Sequence, residues 1–259
     1  MSAESRQSKI VEMVMEKGEI KIKDICESFD VSDMTARRDL NELDKHGLLR
    51  RVHGGAVANL GRSYEPSFRT RSTKNSKAKQ AIGKKAAEMI FDGDSIALDV
   101  GTTTLEIAKN LGGIRNLTVI TNSIQISNEL VRALTLETEA RLILTGGIVR
   151  PRELSMVGTI PEYVYQKYHV DKVFLGIGGI SVENGLTEFN MEDAQIKQVL
   201  LNSARTKIVV ADSSKFGVTT FSSVGALSSV DKIITDMNAS NEIVDKIRKE
   251  DVEVIQVEI

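Results

Sequence analysis

The sequence predicts an α/β protein carrying a small helical unit at its N-terminus, and three observations lead there. Residues 95–257 alternate short apolar strands with helical stretches, which implies a mostly parallel sheet with helices on its faces. Residues 1–57 instead read as three amphipathic helices followed by a hairpin. A polar, basic connector separates the two regions.

Composition bounds what such a chain does. Its 259 residues accommodate two domains, and 41% hydrophobic with 27% charged residues is ordinary for a globular protein. The single cysteine, Cys26, forms no intramolecular disulfide and suits a reducing compartment. With only His46, His53 and His169 beside it, no cluster has metal-ligand spacing, so neither a metal nor a cofactor is expected. The N-terminus "MSAESRQSKIVEMVMEKGEIK" lacks the apolar core of a signal peptide. No apolar run approaches the ~20 residues of a membrane span. A cytoplasmic protein without a membrane partner is the expectation. The net charge of −2 is unevenly spread: residues 1–80 hold 16 Lys/Arg against 12 Asp/Glu, which leaves 18 against 24 for the remainder. A basic front on an acidic body points to a polyanion met by the first region alone.

Taken in order, Ile10, Met13 and Val14 stripe a first helix that ends near Gly18. Ile22, Ile25, Cys26 and Phe29 follow helical spacing on a second. Ser32 is a good N-cap for a third, on which Ala36, Leu40 and Leu43 form the buried stripe and Gly47 suits the stop. "LLRRVHGGAV" reads as strand, Gly-Gly turn and returning strand. The connector "ANLGRSYEPSFRTRSTKNSKAKQ" carries six Lys/Arg against one Glu, with Gly61 and Pro66 as breakers. These features set domains at 1–57 and 76–259 with a basic linker at 58–75. Beyond it the strands are "SIALDV", "LTVITN", "RLILTG", "KVFLGI", "KIVVAD", "KIITD" and "VEVIQV".

On the third helix, rotation by ~100° per residue places Met34, Arg38 and Asn41 opposite the buried stripe, flanked by Thr35 and Arg37. Arginine and asparagine are the side chains that pair bidentately with guanine and adenine edges. A helix–turn–helix would set the start of this helix in the major groove, with Arg50, Arg51 and His53 on a wing beside the backbone. A solvated amphipathic helix with surface arginines is the plain alternative. The complete tri-helical unit with its basic hairpin favours DNA. This segment resembles the winged helix of DeoR-family bacterial transcriptional regulators, through Ser32, Thr35, Arg37, Arg38, Asp39, Leu40 and the continuation "LLRRVHGGA". Ala36 departs from the commoner aliphatic residue.

In the second region several strands run into small polar turns. "LDVGTTTLEIA" places Asp99 at a strand end, then Gly101 and Thr102, Thr103 and Thr104 at a helix start, where backbone N–H groups and hydroxyls suit a phosphate. Further turns carry Thr121, Asn122 and Ser123; Gly146 and Gly147; Gly185 and Thr187; and Asp212 with Lys215. In open α/β sheets ligands bind at such carboxyl ends. Plain caps account for the threonines and aspartates individually, and Lys215 alone reads as a surface lysine. Neither a G-x-G-x-x-G unit nor a P-loop is present.

The order of these motifs resembles the C-terminal effector domain of the DeoR family, whose fold is similar to ribose-5-phosphate isomerase and CoA-transferase-like proteins. The resemblance implies binding of a phosphorylated sugar that alters DNA affinity, with Lys79 at a basic family position and Lys74 and Lys77 as further candidates. Glu188 or Glu192 then joins Asp99 and Asp212 in accepting sugar hydroxyls. The expected protein is a repressor of a carbohydrate-metabolism operon, a homo-oligomer (dimer or tetramer) on a double-stranded operator, without a catalytic residue. The rival is a sugar-phosphate isomerase-like enzyme with an accessory domain.

Overall fold

The computed structural model describes residues 2–58, 61–134 and 138–259; Met1 of the expected first domain, Asn59 and Leu60 of the expected linker, and residues 135–137 lie outside the described residues. The chain divides into two compact units, Met1–Thr70 and Arg71–Ile259.

The smaller unit contains α1 (Ala3–Lys17), β1 (Glu19–Lys21), α2 (Ile22–Phe29), α3 (Asp33–Lys45), β2 (Leu49–Val52) and β3 (Gly55–Ala58). Gly18 closes α1 in the left-handed conformation, at φ 79°. Ser32 caps α3, its hydroxyl accepting from the Thr35 N–H at 3.3 Å. Ile10, Val14, Ile25, Ala36, Leu40 and Leu49 meet in one apolar core. The helices are also clamped by charge. Buried Asp39 accepts two bonds from the Arg6 guanidinium, at 2.6 and 3.2 Å, and one from Gln7, so α3 is fixed to α1 on the side facing away from solvent.

One strand here escapes the sequence pattern. β1 is three residues long, too short for a period, yet it pairs with β3 and makes the hairpin a three-stranded antiparallel sheet in the order β1-β3-β2. The close approach needs glycine: a Cβ built on Gly55 lies 2.1 Å from the Ile20 carbonyl oxygen.

A short helix, α4 (Phe68–Thr73), with buried Phe68, lies within the stretch read as a linker. The larger unit continues with α5 (Ser76–Ala87), β4 (Ser95–Leu98), α6 (Thr102–Ala108), β5 (Thr118–Thr121), α7 (Ile124–Ala133) and β6 (Arg141–Leu144). Next come β7 (Ile148–Arg150), β8 (Ser155–Val157), α8 (Thr159–Lys167), β9 (Val170–Leu175), β10 (Gly179–Ser181), β11 (Gly185–Glu188) and α9 (Met191–Ser203). The chain ends with β12 (Ala204–Val210), β13 (Ser222–Gly225), β14 (Lys232–Asp236), α10 (Asn241–Arg248) and β15 (Glu253–Val257).

Seven of these strands form a parallel sheet in the order β15-β14-β12-β9-β4-β5-β6. The chain moves outward through β5 and β6, then returns to lay β9 on the other side of β4, so the direction of winding reverses between β4 and β9. Alternate strand residues feed two cores. Leu98, Phe174, Val210 and Ile234 face one with Ile82 of α5 and Ile107 of α6. Ala97, Val173, Val209 and Ile233 face the other with Leu200 of α9 and Val244 of α10. The segment expected to form a turn at Gly185 and Thr187 instead holds β10 and β11, which join β13 in a small antiparallel sheet. No helix among the described residues is long and apolar enough to cross a membrane.

Gly55→Ala is expected to destabilise the smaller unit by about 2–3 kcal/mol through backbone displacement. Circular dichroism melting checks this, and a melt matching wild type would place Ile20 elsewhere.

Candidate DNA-reading face and sensor site

In the smaller unit, the turn before α3 and the spacing along it decide which side chains face outward. Met34, Arg38 and Asn41 are exposed on α3, opposite buried Ala36, Leu40 and Leu43, as the rotation predicts. Met34 is 81% exposed, an unusual position for a large apolar side chain. Among the described residues no hydrogen bond or ion pair holds the Arg38 guanidinium. The neighbouring groups are more constrained. Arg37 is paired with Asp33 one turn earlier, and Ser32 and Thr35 share a hydroxyl–hydroxyl bond of 3.0 Å. Arg51 on β2 donates to the Asn41 side-chain oxygen at 2.5 Å, and its backbone N–H to Asp44 at 3.2 Å, so the hairpin is pinned to the end of α3. Arg50 and His53 remain exposed on the hairpin.

In the larger unit, parallel pairing brings every strand's carboxyl end to the same edge of the sheet. Asp99 follows β4 and is 2% exposed. Its Oδ2 accepts from the Gly176 N–H at 3.2 Å, just beyond β9, which bridges the two strands where the winding reverses. The same oxygen is paired with the ammonium of Lys197, a buried residue of α9. Lys197 Nζ also lies 3.4 Å from Glu188 Oε2 at the end of β11. A buried cation therefore sits between two buried acids. A fourth charge backs them: Asp193, one turn before Lys197, is paired with Arg150 of β7 and accepts from the Asn190 amide at 2.9 Å.

The electrostatics follow from burial. Desolvation pushes the Asp99 carboxyl up to about 6, against the pull of Lys197, while Glu188 and Asp193 push further the same way. For Lys197 burial alone would lower the pKa, but Asp99, Glu188 and Asp193 outweigh it and hold the ammonium charged above the ordinary lysine range. Lys79 on α5 is the opposite case: burial brings it down to about 8, Asp212 draws it partly back, and Lys215 and Arg71 add to the fall.

Around this centre the turns occupy defined places. Gly101 precedes α6, whose first residues, Thr102, Thr103 and Thr104, are all buried; the Thr104 hydroxyl donates to the Gly101 carbonyl at 3.0 Å. Asp212, beyond β12, accepts from the Asn75 amide at 2.8 Å and from Ser214. Lys215 Nζ stands 5.4 Å from the Phe189 ring centre.

Other predicted residues are held by structural bonds. The Thr121 hydroxyl donates to the Leu98 carbonyl at 2.7 Å, Asn122 bridges the Met156 carbonyl and the Tyr165 hydroxyl, and Ser123 caps α7. Gly146 and Gly147 have φ of 75° and 127°, and a Cβ on Gly147 would meet the Val157 carbonyl at 2.8 Å. Gly185 turns at φ 64° into β11, where Thr187 Oγ1 accepts from the Thr220 N–H at 3.0 Å. Glu192 is exposed on the first turn of α9, whereas Glu188 is the acid brought to Lys197.

The residue that the sequence motifs omit is Lys197. Its signal was present: it falls three residues after Ala194 and three and four before Leu200 and Leu201, a charge on the same side of the helix as those apolar residues. Among the described residues no group of three or more His, Cys, Asp or Glu could hold a metal ion.

Residues 6–60 match the DeoR-like helix-turn-helix domain, and residues 74–237 match the DeoR C-terminal sensor domain. The chain is 38% identical over 236 residues to the HTH-type transcriptional regulator YulB of Bacillus subtilis, covering 91% of this chain and 90% of that protein. It is 33% identical to the glycerol-3-phosphate regulon repressor of Escherichia coli K12, covering 91% and 92%. Among solved structures, ribose 5-phosphate isomerase A of Methanocaldococcus jannaschii is 18% identical over 55% of each chain, with a TM-score of 0.40. Both of these full-length relatives carry the names of transcriptional regulators. A DNA-binding unit of this family precedes its sensor domain in one chain, and the chain belongs to the DeoR family of transcriptional regulators.

Proposed function

We propose that this regulator represses a carbohydrate-metabolism operon and that a phosphorylated sugar bound at the carboxyl edge of its sheet controls operator binding. The observation that carries the reading is Lys197 buried between Asp99 and Glu188 where the winding reverses. Buried ion pairs stabilise a core poorly compared with apolar packing. At a topological switch point the same groups serve a ligand, the carboxylates accepting from sugar hydroxyls. Lys79 and Lys215, beside Asp212, supply positive charge for a phosphate, and the hydroxyls of Thr102, Thr103 and Thr104 supply donors. Glycerol 3-phosphate, in the name of the Escherichia coli relative, is a small polyol phosphate with the same hydroxyl and phosphate groups.

On the DNA side, Arg38, Met34 and Asn41 meet base edges, while Ser32, Thr35, Arg37, Arg50, Arg51 and His53 meet phosphates. The protein works in the cytoplasm as a dimer or tetramer, because repeated half-sites demand repeated readers. A ligand shifts such a repressor only through different affinities for its two states.

Three results are expected. In footprinting on genomic DNA, wild type protects two repeated half-sites, and Arg38→Ala binds them more weakly by about 1–3 kcal/mol with an unchanged circular dichroism spectrum. A single protected half-site would refute the oligomer, and undiminished binding would remove Arg38 from the reading face.

In a thermal-shift screen of sugar phosphates, one compound at 100 times its Kd stabilises the larger unit by about 2.7 kcal/mol. Lys197→Met, which also melts earlier because two acids lose their cation, abolishes that stabilisation, whereas Arg38→Ala retains it. An intact ligand response in Lys197→Met would move the site elsewhere.

The third result is a pH dependence. Lys79 loses its charge near pH 8, so affinity for the phosphorylated compound falls between pH 7 and 9, above the second phosphate ionisation, and Lys79→Met flattens that fall. Without ligand the sign is opposite. The unfolded chain keeps this proton to higher pH than the native state, so stability rises with pH above about 8. Calorimetric titration decides; a flat wild-type profile excludes Lys79.

A further inference from the structure

The first residues of the larger unit are tied to the rest of that unit at three points. Arg71 is paired through its guanidinium with buried Glu153, in the turn between β7 and β8. Asn75 donates its side-chain amide to Asp212 Oδ1 at 2.8 Å. Lys79, one turn into α5, donates from its ammonium to the backbone carbonyls of Arg71 and, at 2.7 Å, of Lys74. The segment from Arg71 to Asn75 is thus held at both ends and along its backbone. A cavity of about 350 Å³, lined by Thr73, Asn75, Lys77, Ser213 and Asn238 among others, adjoins Asn75.

Position in the chain gives these bonds their importance. Thr70 ends the smaller unit and Arg71 begins the larger one. Any influence that travels along the chain from sensor to DNA reader crosses this segment. Two of its anchors, Lys79 and Asp212, are residues placed above in the ligand site.

We propose that Asn75 and Arg71 are the positioning residues that pass the ligand signal on: held by Asp212 and Glu153 they keep the DNA-binding state, and an anionic ligand frees them. The inference rests on the reading that a sugar phosphate binds at this edge. A phosphate and the carbonyls of Arg71 and Lys74 compete for one ammonium. The phosphate therefore binds the released segment more tightly than the held one, and that difference is the coupling free energy.

The test needs no ligand. A DNA duplex is first selected by the wild-type protein from a random-sequence pool. Asn75→Asp sets a carboxylate against Asp212, and we expect its affinity for that duplex to fall about tenfold, within the usual range of allosteric factors. Adding Asp212→Asn rebuilds an amide–carboxylate pair with the partners exchanged and restores the affinity, which a merely structural role for Asn75 would not require. Wild-type affinity in Asn75→Asp, or a double variant as weak as the single one, overturns the proposal. If Asn75→Asp lowers the melting temperature of the larger unit, the exchange of Arg71→Glu with Glu153→Arg gives the same cycle, with the same two outcomes. An intact cycle with no response in the sugar-phosphate screen overturns the ligand reading alone. A positive screen without the cycle overturns the tether alone.

Discussion

The ammonium of Lys197, enclosed between Asp99 and Glu188, is the interaction on which the larger unit's arrangement turns. It joins three separate parts of the fold: the end of β4, the small antiparallel sheet through β11, and the middle of α9. Asp99 in turn bonds the Gly176 N–H beyond β9, so the charge sits across the line where the sheet reverses its winding. Removing a cation from water is costly and its partners repay that cost only with close geometry. The groups around it are accordingly rigid, with Glu188 also accepting from the Phe189 N–H at 2.9 Å and Asp193 fixed by Arg150. Two carboxylates and one ammonium are thereby held together, out of water, at the line of reversal.

The smaller unit solves a different problem with the same economy. Its core is slight, so charge and glycine complete what apolar contact begins. Asp39 lies on the inward side of the helix whose outward side carries Arg38, and its bonds to Arg6 and Gln7 fix the rotation of α3. Fixing that rotation is what presents Met34, Arg38 and Asn41 together. Arg51 then bonds the hairpin to Asn41 at the end of the same helix.

Much of this was legible from the chain alone, for identifiable reasons. Period-3.6 stripes located the three N-terminal helices, and the Ala36–Leu40–Leu43 stripe oriented the third, because burial and exposure on a helix follow from rotation. Alternating apolar strands and helices implied the parallel sheet, since covered parallel strands are apolar on both faces. Short or Gly-rich elements were not legible: β1, β7, β8 and β10 have three residues each, too few to show a period, and β11 opens on a glycine. Lys197 lies outside the turn motifs because it comes from the middle of α9. Glu188 and Glu192 stood equally in the sequence, and only the end of β11 brings one of them to the cation.

The sequence by itself determined the two-part organisation, the family, the outward face of the third helix and the strand ends where polar residues collect. These are local or periodic properties, written in neighbouring residues. Tertiary structure alone decided which strand ends meet at the reversal, that a mid-helix lysine fills the space between them, and that Asn75 and Arg71 are bound to Asp212 and Glu153. Asn75 and Asp212 are separated by 137 residues. No local pattern carries a contact of that length; it exists only once the sheet has set its strand order.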